Sequence, residues 1–271
     1  MKDKWEKIIL LVLLAILLFI ADSRLGNGVT GTAIRCHAER YVQEKYPELE
    51  LHAEEPYYNW KDGGFYEVGI VSDVSRDSYF DLVYSRWGQL KEDRYEMYVS
   101  SGSNTFSRLS ESVTNLTEDV VTALEQREDL YVNFYLASDW SSVYDNVIDY
   151  PFDPEEEIVI SELEVDGAYQ AMALSEQYGI ADIRCTVTEV SVEEMCRILL
   201  DLQAALEDAG VKIATVNLHI FNEADDSMQI AGFPYEHIGK ENLPKLVEQA
   251  AAAWEEFETE YERILAENNQ K

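Results

Sequence analysis

Residues 8–21 read IILLVLLAILLFIA, an unbroken run of 14 apolar residues near the start of the chain. Lys2, Lys4 and Lys7 precede the run, and Asp22 follows it. An excess of positive charge before an apolar segment favours a cytoplasmic N-terminus, with the rest of the chain carried across the membrane. The sequence therefore predicts an N-terminal transmembrane helix that anchors a protein in the cell membrane, with the bulk of the chain extracellular.

The apolar run is short for a membrane span. A spanning helix needs about 20 apolar residues, and a run of 10–14 suits the core of a signal peptide equally well. Cleavage would require small residues soon after the run, and Phe19 with Ala21 is a poor pair for it. An uncleaved anchor is therefore favoured over a cleaved signal, with local thinning of the bilayer. We expect a cytoplasmic tail at residues 1–7, the anchor at 8–25 and a spacer at 26–33.

The remainder of the chain is strongly acidic. Past Gly31 it has 50 acidic and 17 basic residues, and the formal net charge of the whole chain is −32. Nucleic acid is excluded as a partner because its phosphates would be repelled, and an anionic lipid surface is disfavoured for the same reason. Such a charge suits a well-solvated protein or one with a cationic partner.

Residues 34–144 have the pattern of a first small α+β domain. Apolar residues at helical spacing predict a helix over about 32–46, which Pro47 ends. Lys61-Asp62-Gly63-Gly64 predicts a hairpin turn. Strands are predicted at about 49–60, 65–72 and 79–87, helices at about 92–101 and 104–126, and a closing strand at Leu130–Leu136.

An acidic linker and a second domain complete the predicted organisation. Residues 145–160 are dense in Asp and Glu, which favours an extended, self-repelling linker. Residues 161–271 have the pattern of a second α+β domain, a three-stranded sheet with helices. Ser191 with Glu194 predicts a capping box at the start of a helix. Strands are predicted at 180–190, 211–221 and 227–235, with Pro234 marking the last of them as an edge strand.

Three motifs resemble catalytic or cofactor sites but lack the context that the chemistry requires. Residues 26–31, GNGVTG, match the dinucleotide fingerprint, which must lie between a strand and a helix of a βαβ unit. Cys36 to Glu39 resemble the start of a zinc deaminase signature, but no paired Cys motif follows. Ser101–Ser103 is a turn with no His placed to activate a serine. The sequence therefore predicts no catalytic residue, no cofactor and no metal site.

Cysteine and histidine give no further site. Three Cys allow at most one internal disulfide. Cys185 and Cys196 are predicted to be core residues, with a bridge between them allowed but not required, and Cys36 would be free. His219 alternates with Asn217 in a predicted strand, which fits a sheet-face residue as well as a functional one.

Aromatic residues are concentrated between positions 57 and 98. Aromatic rings beside acids such as Asp62, Glu67 and Asp81 could stack on a sugar, and two suitably spaced carboxylates could hydrolyse one. The favoured interpretation is that these aromatics fill strands and a small core. The candidate ligand surface comprises Tyr57, Trp60, Tyr66 and Trp87.

The last predicted helix, from about 242 to 266, carries a heptad-like apolar seam. Its aromatic members could contact a partner helix. Packing on the sheet of its own domain is favoured, since amphipathic helices usually cover their own core. The candidate partner helix is marked by Trp254, Phe257 and Tyr261.

Several short motifs of the first domain resemble those of one family. They are Tyr41-Val42, Lys45-Tyr46-Pro47, Gly63-Gly64-Phe65-Tyr66 with Val68, Asp77 with Phe80, Asp93 with Tyr95, and Ser101-Gly102-Ser103-Asn104-Thr105 with Arg108-Leu109. In these motifs the chain, over about residues 1–150, resembles the uncharacterised YfjL-like proteins of Gram-positive bacteria. The resemblance implies a single-pass, membrane-anchored protein with a cystatin-like or PepSY-like domain, a helix plus an antiparallel sheet, and it implies no activity. Asn104, Thr105 and Arg108 would form a local capping arrangement at a helix start.

We therefore expect a non-enzymatic binding or accessory module at the cell envelope. Its partners would be the membrane, through the N-terminal helix, and an envelope protein or cell-wall ligand. Two alternatives are a carboxylate-based glycan hydrolase and a weak envelope cation-binding protein. An enzyme needs a concave pocket with facing acids and perturbed pKa values, whereas a binding module needs an exposed patch or groove.

Overall fold

The computed structural model describes residue 11 and the ranges 28–61, 63–126, 129–139 and 157–268. The chain forms two compact units, one of residues up to Thr105 with Ser161–Gly167, and one of Phe106–Ile160 with Ala168–Lys271. Each unit contains its own sheet. The predicted α+β class with two sheets is therefore confirmed.

No helix among the residues that the structure describes is both long and apolar enough to cross a membrane. The predicted transmembrane helix, and the single-pass signal-anchor with it, is therefore wrong. The longest described helix, Leu243–Asn268, has seven glutamates in its sequence and is far too polar for a membrane span. The predicted tail at 1–7 and anchor at 8–25 lie, apart from Leu11, outside the described residues.

The first unit is a long helix with an antiparallel sheet. Helix α1, Gly28–Lys45, begins inside the predicted spacer and ends just before Pro47, as predicted. Its apolar face, Ile34, Ala38 and Val42, is buried in the first core. The strands are β1 Leu51–Ala53, β2 Tyr57–Asn59, β3 Phe65–Ser72, β4 Tyr79–Ser85 and β5 Leu90–Asp93. The strand order is β1-β3-β4-β5, with β2 also paired to β3.

A π-helical turn, Glu96–Ser100, leads from this sheet into helix α2, Ser103–Glu125. The start of α2 is tied to the chain just before β4. Asn104 Nδ2 donates to the backbone oxygen of Asp77 at 2.9 Å, and Thr105 Oγ1 donates to its carboxylate at 2.8 Å. These contacts span more than 25 residues of sequence, so Asn104 and Thr105 do not form the local cap that the resemblance implied.

The same carboxylate holds a distant segment in the first unit. Asp77 has no exposed surface, and it accepts a hydrogen bond from the backbone N–H of Asp166 at 2.9 Å. Asp166 in turn accepts at its Oδ1 from the backbone N–H of Arg76 at 2.8 Å. Ser161–Gly167 therefore belongs to the first unit, although residues before and after it belong to the second.

The second unit contains a four-stranded mixed sheet of order β6-β7-β8-β9, formed by β6 Leu130–Leu136, β7 Gly179–Thr186, β8 Thr215–Phe221 and β9 Ser227–Pro234. The β7–β8 pair is parallel, and the two outer pairs are antiparallel. The predicted three-stranded sheet is wrong in number, because the structure pairs Leu130–Leu136, assigned by sequence to the first domain, with the whole of β7. The helices are α3 Ala171–Tyr178, α4 Val192–Ala209 and α5 Leu243–Asn268.

Local signals place the helices of this unit. Ser191 Oγ accepts a hydrogen bond from the Glu194 backbone N–H at 3.2 Å, as the predicted N-terminal cap requires. Gly210 ends α4 with a φ of 67°, a left-handed conformation in which glycine is favoured. Cys185 and Cys196 are buried in the second core, Cys36 is exposed, and none of the three forms a disulfide within the described residues.

Helix α5 packs along β9 and against α4. Leu243 and Val247, in its first two turns, are buried in the core of the second unit. The prediction that this helix packs on its own sheet is confirmed for these turns. Trp254, Phe257 and Tyr261, farther along, are only partly buried.

Candidate functional site

The predicted ligand surface on the first sheet is divided between core and solvent. Tyr66 is 4% exposed, and its ring lies 4.8 Å from that of Tyr58 within the first core, so it cannot contact a ligand here. Tyr57, Trp60 and Trp87 are exposed. The register of β3 with β4 places the turns that carry Trp60 and Trp87 at the same end of the sheet. The structure therefore leaves three exposed aromatic residues of the four predicted.

Two of the three acids named for the alternative hydrolase, Glu67 and Asp81, share one guanidinium. Arg94 Nη1 lies 3.6 Å from Glu67 Oε1 and 3.9 Å from Asp81 Oδ2. Burial raises the pKa of Asp81; Arg94 opposes this shift and Glu54 adds to it. A cation between two carboxylates stabilises both in the charged form. The arrangement is that of an ion cluster, and the third predicted acid, Asp62, lies outside the described residues.

Another carboxylate of the first unit, that of Asp93, has hydrogen-bond partners from the same unit. Asp93 Oδ2 accepts hydrogen bonds from Tyr41 at 2.7 Å, Tyr46 at 2.8 Å and Lys45 at 2.6 Å. Burial alone would raise the pKa of Asp93, but these donors and the backbone N–H of Tyr95 together hold it below its usual value. Asp93 is therefore a structural residue that joins α1 to β5.

The polar face of the second sheet has a different character. In β6 and β7 the residues alternate between buried and more exposed positions. The strand register aligns Tyr131, Arg184, His219 and Gln229 in one row across all four strands. Asn133, Asp182 and Asn217 form the next row, and Phe221 lies beyond His219 in β8.

Hydrogen bonds and burial fix the groups at the centre of this face. Asn217 Nδ2 donates to the Tyr135 hydroxyl at 3.1 Å, and its Oδ1 accepts from the Gly232 backbone N–H at 2.8 Å. Burial raises the pKa of Asp182, although Arg184 and His219 lower it. Burial, with Arg184, lowers the pKa of His219. His219 is therefore mostly neutral at neutral pH.

A cleft of about 590 Å³ lies where this face meets α5, and we refer to it as the α5 cleft. Residues from β8 and β9 form one wall, and residues from the middle of α5 form the other. Glu258 of α5 lies close enough to His219 to raise its pKa in part. The walls include His219, Met228, Gln229, Glu248, Trp254, Glu255 and Glu258.

Of the three residues that mark the predicted partner helix, Trp254 lines the α5 cleft. The rings of Phe257 and Tyr261 continue from it along α5, with centroids 5.5 Å and 6.1 Å apart in succession. His219 is a site candidate from the sequence pattern, whereas Asp182 and Arg184 are not among the predicted site residues. Their signal was available, because polar residues alternate with apolar ones along this strand.

Comparison with other proteins identifies the family. No curated protein matches the chain significantly. One similar solved structure is a DUF5037 family protein from Ruminococcus gnavus ATCC 29149, with 15% identity over 76% of this chain and 77% of that chain and a TM-score of 0.19. Residues 1–101 match the YfjL-like N-terminal domain, and residues 116–248 match the YfjL-like C-terminal domain. Since these matches cover most of the sequence, the chain belongs to the YfjL-like family.

Proposed function

We propose that the protein is a non-enzymatic binding module whose ligand site is the α5 cleft together with the adjoining polar face. The observation that carries this proposal is the cleft itself. Its volume of about 590 Å³ is in the range typical of ligand pockets. It brings an aromatic ring and carboxylates of α5 together with the imidazole of His219 and the amide of Gln229 from the sheet, as a recognition site requires.

The chemistry beside the cleft supports binding over catalysis. His219 forms no hydrogen bond to a hydroxyl, thiol or carboxylate of the described residues, whereas a general base must lie within hydrogen-bond reach of the proton it removes. The pKa shifts of His219 and Asp182 have burial as their first cause. Such shifts arise in any partly covered sheet face.

The competing function is a carboxylate-based glycan hydrolase on the first sheet. One observation favours it: Glu67 and Asp81 approach the same Arg94 atom, and the pKa of Asp81 is raised. Substitution of both acids by their amides would abolish turnover of cell-wall glycans if this function were correct. We expect no glycan turnover by the wild-type protein, and a turnover lost in Glu67→Gln would contradict the binding proposal.

Isothermal titration against a panel of probes tests the binding role. The panel comprises cell-wall disaccharide-peptide fragments, neutral oligosaccharides, and short cationic, anionic and neutral peptides. We expect at least one probe to bind with an affinity that falls about tenfold or more in Trp254→Ala, as for a buried aromatic anchor. Trp87→Ala, which removes an exposed indole from the first unit, is the matched control and should bind normally.

Two outcomes would contradict the proposed site. No binding by any probe at millimolar concentration would remove the support for a binding module. Binding that Trp87→Ala abolishes and Trp254→Ala preserves would move the site to the first unit.

The proposal also includes an extracytoplasmic location for the protein. Protease added to intact cells tests this location: degradation of the protein is expected, and full protection would contradict it.

A further inference from the structure

The α5 cleft has an unusual balance of charge. Glu248, Glu255 and Glu258 all contribute to its walls, and no Lys or Arg does so among the described residues. Within the described part of the chain, none of these three carboxylates forms a salt bridge with a basic residue. The site therefore presents negative charge that its own lining does not neutralise.

Aromatic and apolar groups accompany this charge. Trp254 and Met228 line the same cleft as the three glutamates. An indole face attracts ammonium and guanidinium groups, with an energy of about 0.5–2 kcal/mol depending on desolvation. Carboxylates bind the same groups through charge-assisted hydrogen bonds. A wall that combines the two is suited to an organic cation with an aliphatic stem.

The size of the cleft and the surface beside it indicate a longer ligand than a single amine. A volume of about 590 Å³ exceeds what an inorganic ion needs, and no group of three or more potential metal ligands occurs among the described residues. The cleft includes His219 and Gln229 of the polar face, and Phe221 and Tyr131 are exposed elsewhere on that sheet. Amide groups such as Gln229 can bond an extended backbone there.

On the basis of the binding role proposed above, we propose that the α5 cleft binds a Lys or Arg side chain of an extended, basic peptide segment of a partner protein. The formal net charge of −32 supports this choice, since a strongly negative protein attracts cationic partners and speeds their association. Anionic ligands are repelled by the same field. The glutamates and Trp254 bind the cationic head, and the polar face contacts the neighbouring peptide residues.

Calorimetric titration of the full chain with four probes tests this inference. The probes are pentalysine, pentaglutamate, pentaglutamine and spermine, each at low and at 0.5 M salt. We expect pentalysine to bind, pentaglutamate and pentaglutamine not to bind, and spermine to bind at least tenfold more weakly than pentalysine. High salt should weaken binding without abolishing it, because the contact with Trp254 is not screened.

Matched variants separate the cleft from the general acidity of the surface. The double substitution Glu255→Gln with Glu258→Gln should lower pentalysine affinity about tenfold, as expected for losing two charge-assisted contacts. Glu262→Gln removes an exposed charge from the same helix and should change affinity less than twofold. Trp254→Phe should retain most of the affinity that Trp254→Ala loses. Circular dichroism verifies that each variant is folded.

The outcomes distinguish this inference from the binding role on which it rests. If a neutral probe binds at Trp254 and pentalysine does not, the cationic ligand is wrong and the binding module survives. If no probe binds, both are wrong. Equal losses of pentalysine affinity in Glu262→Gln and in the double variant would overturn the inference, because they would show non-specific attraction to the acidic surface. Spermine binding as tight as pentalysine binding would contradict the claim that the ligand is a peptide.

Discussion

Replacement of Asp93 by Asn should destabilise the first unit by about 3 kcal/mol. Asp93 Oδ2 accepts three hydrogen bonds, from Tyr41, Lys45 and Tyr46, and its side chain is only 13% exposed. A hydrogen bond to a charged group contributes about 1.5–3 kcal/mol. The hydrogen bond from Lys45 contributes only about 0–1 kcal/mol of this stability, because the Lys45 side chain is 47% exposed and water can take the place of its partner.

The pH dependence of this loss follows from the direction of the pKa shift. The pKa of Asp93 is lower in the folded protein than in the unfolded chain. Its stabilising effect is therefore complete above the unfolded value, near 4, and is lost as the pH falls through the folded value. The difference between wild type and Asp93→Asn should shrink steadily at acidic pH.

Two measurements test both effects: urea unfolding gives the free energy of unfolding, and amide hydrogen exchange in β4 and β5 gives the local stability of the first sheet. Glu96→Gln, which removes an exposed charge from the neighbouring turn, is the control and should stay within about 0.5 kcal/mol of wild type. A loss below about 1 kcal/mol in Asp93→Asn at pH 7, or a loss that is unchanged at pH 2, would refute a role for the charge in this network.

Three further predictions concern other sites. In Gly179→Ala the new Cβ would lie 2.4 Å from the backbone oxygen of Ser175, so we expect a loss of about 1–3 kcal/mol in chemical unfolding; unchanged stability would contradict this contact. In Asp77→Ala, amide exchange should accelerate at Ser161–Gly167, and unaltered protection there would show that the carboxylate does not hold the segment. An NMR titration should find the pKa of His219 below 6.5, with stability declining as the pH falls through that region, whereas a value above 6.5 would contradict its burial.

Local features of the fold could be predicted from the sequence. The start of α4 at Ser191 and its end at Gly210 depend on residues within a few positions of each helix end, so short sequence signals suffice. The end of α1 before Pro47 is of the same kind. The edge position of β9, indicated by Pro234, also follows from a single residue that cannot donate a backbone hydrogen bond.

Pairing between distant segments could not be predicted in the same way. Strand β6 precedes its partner β7 by more than 40 residues, and nothing local to Leu130–Leu136 distinguishes the first sheet from the second. The retention of Ser161–Gly167 by Asp77 depends on a buried contact across about 90 positions. Both pairings are long-range contacts that one sequence does not reveal.

The candidate site was partly visible from the sequence. Tyr66 could have been assigned to the core, because it alternates with the buried residues Val68 and Ile70 along β3. The α5 cleft could not be foreseen, since it depends on how α5 lies along β9 and brings Glu258 towards His219.

The central claim, a cation-binding site at the α5 cleft, is tested most directly by the tryptophan indole N–H signals in an NMR titration with pentalysine. The chain has five Trp, which substitution of each in turn assigns. We predict a saturable shift of the Trp254 signal, with the Trp60 and Trp87 signals unchanged. A Trp254 signal that does not move while pentalysine binds, or equal shifts of all the signals, would contradict the claim.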